Sequence, residues 1–125
     1  MKKTIITTIF IIFSFHNILY AAGGSSGNSK SLYDQAVNLI KSAKKYEKKG
    51  KTNKANKRYE KALTLLIKEN KKKPNQPDTL NYLGFTTRKL GDFENGERYY
   101  LQGLQIDPSH KGINEYLGEL YVATN

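Results

Sequence analysis

From Leu32 onward, apolar and small residues recur at steps of three and four, the spacing of a helix with one buried face. Leu32, Ala36, Leu39, Ile40, Ala43 and Tyr46 make the first such stripe, and Gly50 stops it. A second helix is predicted from a Thr52 cap, burying Ala55, Tyr59, Ala62, Leu63, Leu66 and Ile67. It should end at Lys71-Lys72-Lys73-Pro74 and Pro77. Asp78 is expected to cap a third helix carrying Leu80, Leu83, Gly84 and Leu90, with Gly91 as its stop. Asp92 should cap a fourth, running through Phe93, Gly96, Tyr100, Gly103, Leu104 and Ile106 to Asp107-Pro108, where proline prevents extension. The fifth spans about Gly112 to Ala123 and sets Ile113, Tyr116, Leu117, Leu120 and Tyr121 on one stripe. No alternating β-branched run suggests a sheet, so the expected fold class is all-α: five antiparallel helices joined by short turns.

Residues before this stretch follow another pattern. Lys2 and Lys3 precede an apolar run from Thr4 to Phe15, and small residues follow at Ala21, Ala22, Gly23 and Gly24. That is the order of a secretory signal peptide, predicted over 1–23, with a flexible Gly/Ser/Asn leader over 24–30. The expected destination is the periplasm. The alternative is an uncleaved anchor in the inner membrane, because Ile5 to Ala22 gives 18 residues, at the lower edge of a spanning length. The chain has no cysteine, which excludes disulfides, cysteine-type zinc sites and a lipid-modified amino terminus. His110 stands beside a turn with no second histidine nearby and is expected on the surface.

Repetition sharpens the reading. Asn81-Tyr82-Leu83-Gly84 returns as Glu115-Tyr116-Leu117-Gly118, 34 residues later. With Leu83, Gly84, Gly91, Phe93, Tyr100 and Pro108, this pattern resembles the tetratricopeptide repeat family, whose unit is two antiparallel helices with small residues at their crossing. Gly96 and Gly103 replace the alanines usual there, each costing about 1 kcal/mol in helix propensity, and Thr87 replaces an aromatic; looser packing of this unit is expected. The first pair fits with Ala43, Tyr46, Gly50, Ala55, Tyr59 and Ala62 in register. Its offset from the second, Gly50 to Gly91 or Tyr59 to Tyr100, is 41, so it carries seven extra residues, expected in its second helix and the Lys-rich turn. The repeat domain is drawn over 31–125, with units at about 36–69 and 77–110 and a partial one at 111–125. Asn114, Glu115 and Glu119 could give the last helix the wet face of a cap; otherwise the chain is a fragment, or its open end pairs with another subunit.

The resemblance implies a non-catalytic scaffold whose first helices line a concave surface that grips a protein or peptide. Its candidate residues here are Ile40, Lys44 and Lys48, then Asn81, Phe85 and Arg88, then Glu115 and Glu119. Glu115 and Glu119 stand where a clamp for a terminal carboxylate would want positive charge. Phe85 is read either as an exposed anchor or as a core residue packed against the neighbouring pair.

Charge is unevenly spread. Over the whole chain it is +10 at pH 7, but residues 30–73 carry 15 basic against 4 acidic groups and 74–125 carry 4 against 7. The lysine-rich half is either a solvated face or a surface that attracts an anionic membrane or envelope polymer, which makes such binding the alternative function. Nucleic acid is not the expected partner of an exported chain. No paired carboxylates, nucleophile with base, metal cluster or phosphate-cradling loop is evident, so neither enzymatic activity nor a cofactor is expected.

Overall fold

A computed structural model describes residues 30–125; the expected signal peptide at 1–23 and all but the last residue of the leader lie outside the described residues. Five helices follow in order: α1 (Leu32–Lys48), α2 (Thr52–Lys72), α3 (Pro77–Lys89), α4 (Phe93–Ile106) and α5 (Lys111–Thr124). No strand occurs among the described residues, and the all-α expectation holds. α1 pairs with α2 and α3 with α4, while α2 packs on α3 and α4 on α5. The odd-numbered helices also meet, α1 with α3 and α3 with α5, and so share one side of the stack.

The two hairpin turns use the same backbone chemistry. Gly50 (φ 66°) and Gly91 (φ 94°) adopt left-handed conformations that other residues enter at a cost. In each turn the residue after the glycine sends its N–H five residues back, Lys51 to the Tyr46 carbonyl at 2.9 Å and Asp92 to the Thr87 carbonyl at 3.1 Å. These bonds satisfy carbonyls that the helix end would leave bare.

Helix starts differ from expectation in two places. Lys51, not Thr52, occupies the cap position of α2 and supplies no side-chain bond. Gln76 precedes α3, whose first residue is Pro77, so this proline opens a helix rather than ending one. Its missing N–H costs nothing there. Asp78 lies inside the first turn, and its carboxylate meets His110 Nε2 at 3.0 Å. Asp92 does cap α4, accepting from the Asn95 N–H at 3.1 Å.

α2 has 21 residues and α4 has 14, so the seven-residue surplus of the first unit is two extra helical turns, with nothing added to the lysine-rich connection. Two buried clusters make the core. One joins Ala36, Ile40, Ala43, Ala55, Tyr59, Ala62 and Leu66 to Leu80, Leu83 and Phe85 of α3. The other joins Tyr100 of α4 to Ile113, Leu117 and Leu120 of α5, with Tyr116 packed against both. Ile67 is 39% exposed, contrary to its expected burial: it follows Leu66 by one position, and 100° of rotation carries it off the stripe. At the α3–α4 crossing the expected looseness is not seen at Gly84, where an added Cβ would lie 2.5 Å from Tyr100 Cε1.

Candidate functional site

The shared side of α1, α3 and α5 contains a pocket of about 240 Å³ lined by Lys44, Glu47 and Lys48, then Phe85, Arg88 and Lys89, then Tyr116 and Glu119. Each of these helices contributes residues three or four apart, which helical geometry stacks on one face. The floor is aromatic. Phe85 and Tyr116 lie 4.8 Å apart between centroids, and Tyr59 meets Phe85 edge-on at 5.9 Å.

Cations surround that floor. The Lys44 ammonium sits 4.5 Å from the Phe85 centroid and donates to the Tyr116 hydroxyl at 3.1 Å. Arg88 and Lys89 each approach the Phe85 ring to 5.8 Å. Two of the cations are neutralised: Arg88 pairs with Glu119 at 2.7 Å and Lys89 with Glu47 at 3.0 Å. Glu47 also accepts from the Tyr59 hydroxyl at 2.9 Å. Burial and this acceptor together hold Tyr59 well above the ordinary tyrosine range. Lys44 and Lys48 have no carboxylate partner among the described residues. The pocket therefore presents surplus positive charge over a rigid apolar base.

Of the expected residues, Lys44, Lys48, Arg88 and Glu119 meet here. Phe85 forms the base but is only 2% exposed, so it is a core residue bridging the two hairpins and not an exposed anchor. Ile40, also 2% exposed, faces the core one turn before Lys44. Asn81 is 6% exposed because the first turn of α5 closes over it; a Cβ at Gly112 would lie 2.8 Å from its Nδ2. Glu115 is exposed but does not line the pocket.

Glu47, Lys89 and Tyr116 complete the site and escaped the sequence reading. Their signal was available: Glu47 lies three residues after Lys44, Lys89 four after Phe85, and Tyr116 three before Glu119. His110 is a further correction. Its side chain is 15% exposed, and Nδ1 accepts the Ile113 N–H at 3.1 Å, making it the cap of α5 while Nε2 reaches Asp78. Among the described residues no group of three metal-binding side chains occurs, and no helix is long and apolar enough to cross a membrane.

A family model, Tetratricopeptide repeat, matches residues 78–110, which comprise all but the first residue of α3, all of α4 and the turn into α5. No curated protein matches the chain.

Proposed function

Because this chain carries a tetratricopeptide repeat, we propose that it is a non-catalytic scaffold that holds a partner protein along the face shared by α1, α3 and α5, in the bacterial periplasm or cell envelope. The location rests on the signal-peptide pattern of residues 1–23. The observation that carries the groove is Lys44, an ammonium held over Phe85 and against Tyr116 with no carboxylate opposite it. Glu47 and Glu119 are already engaged by Lys89 and Arg88, so an acidic side chain of the partner would meet Lys44 and Lys48 first.

The experiment is a pull-down from envelope extract with the intact chain, followed by direct titration of the recovered protein. Reversing Lys44 and Lys48 to Glu should abolish recovery, and added salt should weaken the direct complex. Unchanged recovery with the reversed pair would exclude the groove. Phe85→Ala is unsuited to this purpose, since removing a core ring lowers stability whatever the groove binds.

A further inference from the structure

A second set of cations lies outside the groove. Lys54, Lys57, Arg58 and Lys61 share one face of α2, with Lys54 three and four residues before Lys57 and Arg58, and Lys61 four and three after them, beside the buried stripe of Ala55, Tyr59 and Ala62. With Tyr46 from α1 they line a pocket of about 360 Å³ that contains no acidic side chain in its lining. The Lys54 ammonium stands 5.9 Å from the centre of the Tyr46 ring. None of the four cations joins an ion pair among the described residues, whereas Lys73, Arg88, Lys89 and Arg98 all do. Like charges at these spacings repel one another, and nothing within the pocket compensates them.

We propose that this pocket binds a phosphate group, in the form of a phosphomonoester or pyrophosphate. Charge density decides the class: a single carboxylate neutralises one cation, while a phosphate dianion presents several oxygens to three ammonium groups and a guanidinium at once. Arg58 is half-buried, which limits the directions its planar fork can take and suits it to two parallel bonds to phosphate oxygens. The lysines are exposed and free to close around the remaining oxygens. This site is independent of the groove, shares no residue with it, and gives the lysine-rich half a specific ligand chemistry in place of a diffuse field.

The phosphate could belong to a soluble molecule or to a lipid headgroup, and two probes separate them. Pyrophosphate is titrated calorimetrically into the intact chain, and vesicles containing phosphatidic acid are compared with pure phosphatidylcholine vesicles by flotation. Each probe is applied to Lys54/Lys57/Lys61→Gln and to Lys68/Lys71/Lys72→Gln, which removes the same charge from the same helix outside the pocket. The expected result is one saturable site, weakened at least tenfold by the first triple substitution and less than twofold by the second. Binding of pyrophosphate assigns a soluble ligand; binding only to phosphatidic acid vesicles assigns the headgroup. Equal weakening by the two triples, no binding of either probe, or equal flotation with phosphatidylcholine would overturn the proposal. Circular dichroism checks that both variants stay helical, and Arg58→Gln alone should also weaken binding should the first triple unfold. Lys44→Glu should leave this binding unchanged, so loss of the groove and loss of the phosphate pocket are read separately.

Discussion

The hairpins α1–α2 and α3–α4 are two versions of one unit, and they differ in the residues at the helix crossing and in what faces each buried tyrosine. At the constant offset of 41, Ala43, Ala55 and Ala62 of the first correspond to Gly84, Gly96 and Gly103 of the second, while Tyr59 corresponds to Tyr100. Both tyrosines are fully buried, but their surroundings differ. In the first, the Tyr59 hydroxyl donates to Glu47 and so ties the core to the groove. In the second, the Tyr100 ring lies directly over Gly84 and its hydroxyl has no hydrogen-bond partner. At the same offset Glu47 corresponds to Arg88, so each buried tyrosine has a groove residue beside its hydroxyl, a carboxylate that accepts from Tyr59 in the first hairpin and a guanidinium in the second. The basic residues follow the same division, gathering on the longer, alanine-built hairpin.

The largest effect is expected at the residue that belongs to both units. Phe85 comes from α3 yet packs against Tyr59 of the first hairpin and Tyr116 of α5. Phe85→Ala should cost about 3–5 kcal/mol, as for other buried aromatics, measured from the midpoint of chemical denaturation. The loss should weaken both hairpins in one transition. Destabilisation confined to α3–α5, with α1–α2 unfolding at an unchanged midpoint, would show that Phe85 does not couple them.

A smaller effect tests the crossing itself. Gly84→Ala gains about 1 kcal/mol in helix propensity, but its Cβ would sit 2.5 Å from Tyr100 Cε1, so the fully buried ring must move. Overpacking of this kind costs about 1–3 kcal/mol, and net destabilisation is expected. The reverse change in the first hairpin, Ala43→Gly, should cost about 1 kcal/mol through propensity and roughly 1 kcal/mol more through the loss of a fully buried methyl, with no ring forced to move. A stabilised Gly84→Ala protein would mean that the two crossings are interchangeable and that Tyr100 does not require a glycine beneath it.

Much of this architecture could be read from spacing alone. The five helices, their two glycine stops and the Asp92 cap follow from periodicity and local turn chemistry, which depend on neighbours in sequence. Ile67 and the opening of α3 at Pro77 are not fixed by spacing, because an apolar residue next to a stripe, or a proline between two helices, fits either side. The groove was legible as a face and not as a set of contacts. Lys44, Lys48, Arg88 and Glu119 fall on it, but the depth of Phe85 and Ile40 depends on how the hairpins stack, which is set between units and not within one. His110 illustrates the same limit: its role as the cap of α5 is local, but its bond to Asp78 joins residues 32 apart.

The finest distinction between the hairpins lies in their tyrosine hydroxyls. Tyr59→Phe removes a bond to Glu47 and should cost about 1 kcal/mol, whereas Tyr100→Phe removes a buried hydroxyl that has no hydrogen-bond partner and should be neutral or slightly stabilising. The Arg88 guanidinium lies close enough to the Tyr100 hydroxyl to oppose the upward push of burial in part, though no well-formed hydrogen bond joins them. Raising the pH gives a second view of the same groups. Burial lifts Tyr59, Tyr82 and Tyr100 above the usual range and takes Tyr33 up to about 12. In the unfolded chain tyrosines ionise at about 10, so the folded state holds protons that the unfolded state has lost. The stability these groups contribute is therefore complete below that value and should decline as pH rises from 10 toward 12 and beyond. Both Phe variants should blunt that decline, each by removing one ionising group from the unfolded chain, even though only Tyr59→Phe weakens the protein at neutral pH. Midpoints of chemical denaturation at pH 7 and pH 11 would separate the two effects, and equal losses for both variants at pH 7 would erase the difference assigned to Glu47.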